Sequence, residues 1–297
     1  MTPPRSIIVI QRQCPGDILM LTAAIRDLHA AHPDMKILVA TSDRYLWDNN
    51  PCLSEGFRAD KVFRLGYKTP AMRKFQGEQH HFIYAFHDSL GEELGITIPR
   101  GAPYPDIYLT AVEKEPIIST KKPILLMNAG SKPDFPAKQW PVERFQAVVD
   151  ALRGRYTVVQ IGSANLNARH PKLDGVVDMV DKTPGRRLLS LMWQADAVLT
   201  GVSYPMHLCA AINAKSDKQR KCVVLAGQRE DVYWEKYPDH VYLTGEIREC
   251  CKEHACWRRC IDPSAADKDR CLNIVGNAAA CLADISAEQV VEALKNA

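Results

Sequence analysis

An acidic residue follows the first apolar run of the chain. Residues 7–10 read Ile-Ile-Val-Ile, and Pro15, Gly16 and Asp17 come shortly after. An Asp at the start of a helix commonly caps it by accepting backbone N–H bonds. A carboxylate at the end of a buried strand can also act as a general base that takes a proton from a reacting hydroxyl. Asp17 is therefore a candidate cap and a candidate catalytic base.

A second loop combines small residues with one lysine. Gly130 and Ser131 follow an apolar run, and Lys138 precedes a helix that Pro141 opens. Backbone N–H groups and the dipole of a helix N-terminus favour an anion there, and a lysine adds a mobile charge. The loop predicts a phosphate site, to which we add Gly162 at the end of the next apolar run. The alternative is a surface lysine beside a packed tryptophan.

A third segment is a polar turn that enters a helix of small residues. Residues 199–211 read Leu-Thr-Gly-Val-Ser-Tyr-Pro-Met-His-Leu-Cys-Ala-Ala. Such a helix can pack closely on a sheet, which would direct its free N–H groups and the Ser203 hydroxyl into a cleft. His207 on its apolar face is either a further site residue or a hydrogen-bonded core histidine.

Six of the ten cysteines lie near the C-terminus, between residues 250 and 281. They supply more than the four soft ligands that a tetrahedral zinc or iron site needs. Their spacing lacks the two-residue pairs of a zinc ribbon, so plain thiols and disulfides stay open. The six residues are Cys250, Cys251, Cys256, Cys260, Cys271 and Cys281.

The elements that must position these residues alternate between strand and helix. Such alternation predicts an α/β fold of two Rossmann-like halves, with ligands at the carboxyl ends of parallel strands and in the cleft between the halves. Ser286 and Gln289 form a capping box for the last helix. The predicted strands are 7–10, 36–40, 124–128, 156–161, 197–200 and 222–226, and the predicted helices are 18–31, 141–153, 188–195, 205–213 and a last one that ends near residue 295.

Length and composition agree with two ordinary domains. The chain has 297 residues, of which 46% are hydrophobic and 25% are charged. A Gly/Pro-rich passage at 101–105, continued by a polar stretch to 123, predicts a linker between domains 1–112 and 113–297. The net charge of +3 argues against a nucleic-acid partner, and the lack of a long apolar run predicts no membrane span and a place in the cytoplasm.

Three blocks of this sequence resemble the signature blocks of the heptosyltransferase family, glycosyltransferase family 9. They are Gly-Asp-Ile-Leu-Met-Leu-Thr-Ala-Ala-Ile-Arg-Asp-Leu at 16–28, Lys-Gln-Trp-Pro-Val-Glu-Arg-Phe at 138–145 and Met-His-Leu-Cys-Ala-Ala at 206–211. The blocks occur in the family's order and in both halves. The resemblance implies an inverting transferase of the two-domain GT-B kind, which uses a nucleotide-diphosphate sugar such as ADP-heptose and no catalytic divalent ion.

The resemblance also implies roles for individual residues. Asp17 matches the proposed general base, Lys138 the lysine of the donor phosphate, and Ser203 and His207 the start of the donor-binding helix. Before that helix the family usually has Asp-Ser/Thr-Gly, whereas this chain has Val202 and a tyrosine around Ser203. The missing carboxylate puts a heptose donor in question, and the tyrosine narrows the space beside the phosphates.

The cysteine-rich tail resembles that of some family members, certain of which are protein-modifying and carry a bound iron. Cys256 and Cys281 lie in family-like blocks, Cys271 lies between them, and Cys251 is the nearest upstream partner. The resemblance therefore implies one structural zinc or iron on these four thiols.

The leading hypothesis is sugar transfer to the hydroxyl of an acceptor glycan, a glycolipid or a protein side chain. The alternatives are a sugar-nucleotide epimerase or hydrolase of the same fold, a degenerate nucleotide-binding scaffold, and a nucleic-acid binder with a zinc module. Asp17 favours a transferase over a scaffold, because a scaffold needs no base in the cleft.

Overall fold

The N-terminal half is built on a small parallel sheet. A computed structural model describes residues 3–66, 81–164, 168–252 and 255–295. Strand β1 (Ser6–Gln11) lies between β2 (Lys36–Thr41) and β3 (Lys61–Arg64), and helix α1 (Pro15–Ala31) connects the first two strands. The apolar run of β1 is central because both of its edges are paired, in parallel, with its neighbours.

Helix α2 (Ile83–Leu94) packs on α1 and ends at Gly95, whose φ of 67° is the left-handed conformation that glycine adopts without strain. Its His87 donates from Nε2 to Asp27 Oδ2 of α1 at 2.8 Å, and both side chains are largely buried. The sequence pattern between residues 48 and 108 was too weak to predict either β3 or α2.

The passage that follows α2 runs between the two sheets and contains one 3-10 turn, Val112–Lys114. Its first part is held to α1, because Arg26 donates to the backbone oxygen of Tyr104 and to Asp106, both at 2.9 Å. Its last part is held to the C-terminal half by the ion pair of Glu113 with Arg186 at 2.5 Å. The domain boundary at 112/113 stays a prediction.

The C-terminal half contains a six-stranded parallel sheet of order β6-β5-β4-β7-β8-β9. The four strands predicted here are found within one residue or two of their expected ends, and β6 and β9 extend the sheet on both sides. The strands are β4 (Ile124–Met127), β5 (Thr157–Gln160), β6 (Val177–Asp178), β7 (Ala197–Gly201), β8 (Lys221–Leu225) and β9 (His240–Leu243).

Among the described residues of this half, six α-helices and a short hairpin accompany the sheet. Pro141 is the N-cap of α3 and not its first helical residue. The predicted capping box is confirmed, since Ser286 N donates to Gln289 Oε1 at 2.7 Å and Gln289 N donates to Ser286 Oγ at 3.2 Å. The elements are α3 (Val142–Leu152), α4 (Arg186–Gln194), α5 (Tyr204–Asn213), α6 (Val232–Glu235), β10 (Ile274–Val275), β11 (Ala278–Ala279), α7 (Ala280–Ala283) and α8 (Ala287–Lys295).

The hydrophobic core has two parts, one of which joins the halves. The larger part runs from β1 and α1 to α4 and α5 and includes Met206 and Leu208, because α5 packs directly on α1. The smaller part lies beneath α3 and α8 and includes Trp140 and Leu294. Within the described ranges no helix has the length and apolar character needed to cross a bilayer.

Candidate functional site

The site begins at the N-terminus of α1, where Asp17 lies in the first turn. Cys14 is the N-cap residue, and its N–H donates to Asp17 Oδ2 at 3.2 Å. Asp17 is buried, with 7% of the residue exposed. The capping role that the local sequence favoured is therefore present.

The same turn touches helix α5 of the other half. A Cβ added to Gly16 would lie 2.8 Å from Cδ2 of His207 and 3.3 Å from its Nε2, so only glycine lets the two backbones approach this closely. This contact brings Asp17 next to the start of α5, as a site between the halves requires.

His207 is part of a buried polar group that the sequence did not reveal. Its Nδ1 shares a hydrogen bond of 2.8 Å with the Tyr237 hydroxyl, and its Nε2 lies 3.9 Å from Glu235 Oε2. Burial lowers the pKa of His207 well below its usual range, and the nearby His81, His240 and Lys138 lower it further. The imidazole is therefore neutral at pH 7.

Glu235 carries a proton at the same pH. Burial raises the pKa of its carboxyl to about 8, and the charges of Glu230 and Asp17 add to that effect, while Lys138 and Arg229 oppose it. A carboxyl that stays protonated can donate a hydrogen bond, which its ionised form cannot do. Perturbed carboxyls of this kind cluster at functional sites.

Lys138 reaches this group from the loop before α3. Its Nζ lies 2.6 Å from Glu230 Oε1 and 3.4 Å from the backbone oxygen of Val202, which places the lysine beside the N-terminus of α5. Glu230 is largely buried and also contacts Arg229. The lysine predicted to bind phosphate is thus held by a carboxylate in this structure.

Ser203 is the N-cap residue of α5 and sits in a small polar network. Its Oγ lies 3.0 Å from Thr200 Oγ1 and accepts from Asn128 Nδ2 at 3.4 Å. Asn128 Oδ1 in turn accepts from the N–H of Gly130 at 3.2 Å. This network links the carboxyl ends of β4 and β7. Ser203, Gly130 and Lys138 lie along the side of the sheet where these strands end.

The remaining predicted donor residues lie against a histidine that the sequence analysis missed. A Cβ on Gly130 would come within 2.2 Å of His170 Cε1, and one on Gly162 within 1.9 Å of the same atom. Ser131 exchanges two backbone bonds with Arg169, of 2.9 and 2.8 Å, which fixes this histidine over the two glycines. The backbone of both glycines therefore faces an imidazole in this structure.

The tyrosine that replaces the family's glycine points toward the other half. Tyr204 Oη lies 3.5 Å from Tyr45 Oη, and burial raises the pKa of Tyr204 well above its usual range. The neighbouring Val202 is buried. This pair adds a second contact between the halves close to the site.

The cysteine-rich tail encloses a small cavity of about 20 Å³. This exceeds the roughly 10–15 Å³ that one water-sized sphere fills, so the space suits a single ion and no large cluster. The cavity also borders Ala137, whose N–H donates to Arg259 of the tail at 3.0 Å, next to Lys138. The four predicted ligands Cys251, Cys256, Cys271 and Cys281 line it together with Cys250.

All ten cysteines are free thiols, and Cys260 is not among the residues that line the tail cavity. Binding of a metal by the tail stays a prediction. A separate group of possible ligands, which the sequence analysis did not single out, is formed by Cys209, Cys222 and His240 in the core.

Solved structures of several glycosyltransferases are similar to this chain. The glycosyl transferase family 9 protein from Veillonella parvula DSM 2008 is 17% identical, with a TM-score of 0.68 over 98% of this chain and 96% of its own. ADP-heptose LPS heptosyltransferase II of E. coli is 16% identical, with a TM-score of 0.62 over 98% of each chain. The iron-containing dodecameric glycosyltransferase TibC from enterotoxigenic E. coli H10407 is 16% identical, with a TM-score of 0.68 over 100% of this chain and 76% of its own.

These likenesses confirm the predicted fold, an α/β structure with parallel sheets like that of GT-B heptosyltransferases. No match was found among curated protein sequences. The family model described as glycosyltransferase family 9 (heptosyltransferase) matches residues 73–253. Since that match spans more than half of the 297 residues, the chain belongs to glycosyltransferase family 9, as its three sequence blocks predicted.

Proposed function

We propose that this protein is an inverting glycosyltransferase that moves a heptose or a related sugar from a nucleotide-diphosphate donor to an acceptor hydroxyl. Membership of family 9 supports the reaction class. A donor of the ADP-heptose type is supported by the structure of TibC in complex with ADP-D-β-D-heptose.

The observation that carries the proposal is the contact of Gly16 with His207. It places Asp17, from the N-terminal half, close to Glu235 and to the start of α5, from the C-terminal half. An acceptor bound on residues 1–112 and a donor bound on residues 113–297 would meet beside this contact, and we assign the two domains those roles.

The proposed chemistry is a direct displacement at the anomeric carbon. As the acceptor oxygen forms its bond to that carbon, Asp17 takes the hydroxyl proton. The bond from the anomeric carbon to the diphosphate breaks on the opposite face, and the electron pair leaves with the diphosphate. Only one displacement occurs, so the configuration of the sugar inverts.

The leaving diphosphate requires a positive site, which the chain's own groups supply. Lys138 contributes its ammonium, and the N-terminus of α5 contributes free N–H groups and the Ser203 hydroxyl. These groups do the work that a divalent ion does in other transferases, and we therefore propose that catalysis is independent of a divalent metal.

Glu230 would compete with the diphosphate for the ammonium of Lys138. Lys138 is paired at 2.6 Å with Glu230, so the donor must draw the ammonium away from a largely buried carboxylate. Glu230 keeps its contact with Arg229 after that exchange. The protonated Glu235 beside His207 adds a neutral donor of hydrogen bonds where a carboxylate would repel the diphosphate.

Gly130, Ser131 and Gly162 complete the proposed donor site through their backbone. The imidazole of His170 now covers both glycines, so a donor at this place either stacks on that ring or displaces it. Val202 and Tyr204 differ from the family's usual residues, and they bear on which sugar is accepted. The acceptor classes that we propose are a glycan, a glycolipid and a protein side chain.

Thermal unfolding of the purified chain with single nucleotide-diphosphate sugars tests the proposal. A ligand that binds only the folded state raises the melting temperature. At a ligand concentration 100-fold above Kd, the added stability is about 2.7 kcal/mol. We expect ADP-heptose or a close analogue to do so, followed by release of the nucleoside diphosphate when an acceptor is added. No shift with any nucleotide-diphosphate sugar would contradict the assignment.

A further inference from the structure

Two cysteines and a histidine meet in the core of the C-terminal half, away from the tail. Cys222 on β8 is paired in register with His240 on β9, and Cys209 lies on α5, which packs over β7 and β8. One ligand atom from each residue lies within 4.8 Å of the other two. Three chain segments that are distant in sequence therefore direct two sulfurs and a ring nitrogen at one point.

The histidine of this group lacks the partners that a buried histidine needs. It is 4% exposed, and among the described residues its ring nitrogens have no nitrogen or oxygen partner and interact only with the weakly hydrogen-bonding Cys209 thiol. Buried polar groups in native proteins are almost always satisfied, since leaving one without a partner costs about 1–3 kcal/mol. Cysteines alone are common in cores and need no explanation. The unsatisfied imidazole of His240 next to two fully buried thiols does need an explanation.

We propose that Cys209, Cys222 and His240 bind one divalent cation of the zinc class. Sulfur and imidazole are the ligands that this ion prefers, in a tetrahedral arrangement with metal–ligand distances of about 2.0–2.3 Å. The two thiols lose their protons on binding, so the ion and its thiolates are neutral together, which a buried site requires.

The position of this site gives it a structural role beside the proposed active site. Cys209 follows His207 by two residues on α5, and the ring of His240 lies 5.2 Å from that of Tyr237, the partner of His207. Such an ion would be held by α5, β8 and β9. It would therefore fix α5, the helix that carries His207, to β9, the strand that follows Tyr237. The inference concerns a site separate from the tail thiols and is independent of the proposed sugar transfer.

Metal content of the full-length chain tests the inference. Each protein is stripped with a chelator, reloaded with Zn²⁺ alone, freed of excess ion and analysed for zinc. We expect Cys222→Ala and His240→Gln to hold one equivalent less than the unsubstituted chain. Cys52→Ala removes a buried cysteine outside the group and should lose none. Because the difference between variants is measured, any zinc on the tail cancels.

A rescue variant keeps the test decisive where the loss of a core side chain prevents folding. His240→Cys replaces one zinc ligand by another and should retain the equivalent that His240→Gln loses. Folded Cys222→Ala and His240→Gln proteins with unchanged zinc would overturn the proposal. A folded His240→Cys protein that lacks the equivalent would overturn it as well.

Discussion

Gly16 and His207 touch across the two halves of the molecule, with room for no side chain between them. The Cβ that any other residue would carry at position 16 lies 2.8 Å from His207 Cδ2, below normal van der Waals contact. His207 cannot turn away freely, since it is buried and hydrogen-bonded to Tyr237. The distance between Asp17 and the C-terminal half therefore depends on the absence of a side chain at Gly16.

The first prediction follows from this contact. Gly16→Ala should push the first turn of α1 away from α5 and cost about 1–3 kcal/mol of unfolding free energy, as overpacking does. A displacement of the base by about 1 Å should lower kcat/KM by roughly 100-fold. Denaturant unfolding and transfer kinetics on the same preparation measure both effects.

Gly154→Ala is the matched control, because a Cβ at that position meets no atom within 4 Å and its φ is not in the left-handed region. It should leave activity unchanged. Equal losses in the two variants would show that the close approach at Gly16 has no special role in the site.

The second prediction concerns Lys138→Ala, which removes the ammonium proposed to receive the diphosphate. Loss of one preorganised charge should cost about 2–4 kcal/mol of transition-state stabilisation. We expect kcat to fall with the fold retained, since the side chain is 29% exposed. Steady-state kinetics with a saturating donor give the loss.

Lys182→Ala serves as its control, because that lysine is exposed and pairs only with Asp178, at 3.1 Å, among the ion pairs of the described residues. Glu230→Gln gives a complementary result, for it removes the carboxylate that now holds Lys138 and should tighten binding of the nucleoside diphosphate. Unchanged turnover in Lys138→Ala would remove this lysine from the mechanism.

The third prediction separates the two roles of Asp17. Asp17→Asn keeps an oxygen that accepts from Cys14 N–H, so the helix cap survives, whereas an amide cannot take a proton. Turnover should be abolished while donor affinity stays within a few-fold. If affinity and rate fell in parallel, Asp17 would be a structural cap, and the base would lie elsewhere.

Much of this architecture was predictable from local signals. Apolar runs located β1, β4, β5, β7 and β8 because buried parallel strands are apolar on both faces. An apolar run also located β2, although this edge strand is buried on one face only. β3 escaped this reasoning, since only Phe63 of Lys61–Arg64 is buried and Val62 is 55% exposed. The short strand β9 begins with the polar residue His240, and no apolar pattern predicted it.

The polar groups of the site were less predictable because they depend on tertiary contacts. Glu235 ends a four-residue helix, and nothing near it in sequence shows that it lies beside His207 and Lys138. His170 covers Gly130 and Gly162 only because Ser131 pairs with Arg169. A glycine–histidine pairing of this kind has no short-range signal.

The fourth prediction is a dependence of stability on pH. The pKa of Glu235 is raised to about 8, from about 4.3 for a free glutamate. Between these values the folded state holds a proton on Glu235 that the unfolded state releases, so the contribution of this residue to the unfolding free energy falls as pH rises through the window and is constant above it. The buried His207, whose pKa is lowered, contributes in the opposite direction. Glu235→Gln cannot ionise, so the stability of the unsubstituted chain minus that of the variant should fall between pH 5 and 8. Denaturant unfolding at pH 5, 6, 7 and 8 measures the slope.

Glu143→Gln, an exposed glutamate in the first turn of α3, is the control and should retain the wild-type slope. A Glu235→Gln profile with the same slope as that of the unsubstituted chain would mean that Glu235 is ionised in the folded state. The neutral hydrogen-bond donor proposed beside His207 would then be lost from the mechanism.

The last prediction is one tightly bound zinc or iron in the tail, held by Cys251, Cys256, Cys271 and Cys281. These thiols line one cavity of about 20 Å³, and the pKa of Cys281 is raised to about 11 by burial and by the other thiols, so binding must displace protons. The ion should therefore leave as pH falls or as chelator is added, and the tail should loosen while the strands of both sheets persist.

Elemental analysis of protein purified without added metal measures this site, and substitution within the tail assigns it. Cys271→Ser should lose one equivalent of metal, whereas Cys260→Ser should lose none, because Cys260 lies in the same tail but not among the residues that line the cavity. The tail also contacts the Lys138 loop through Ala137 and Arg259, so emptying the site should weaken donor binding as well. Six titratable tail thiols, with the same metal content in Cys271→Ser as in the unsubstituted chain, would show that these cysteines are only thiols.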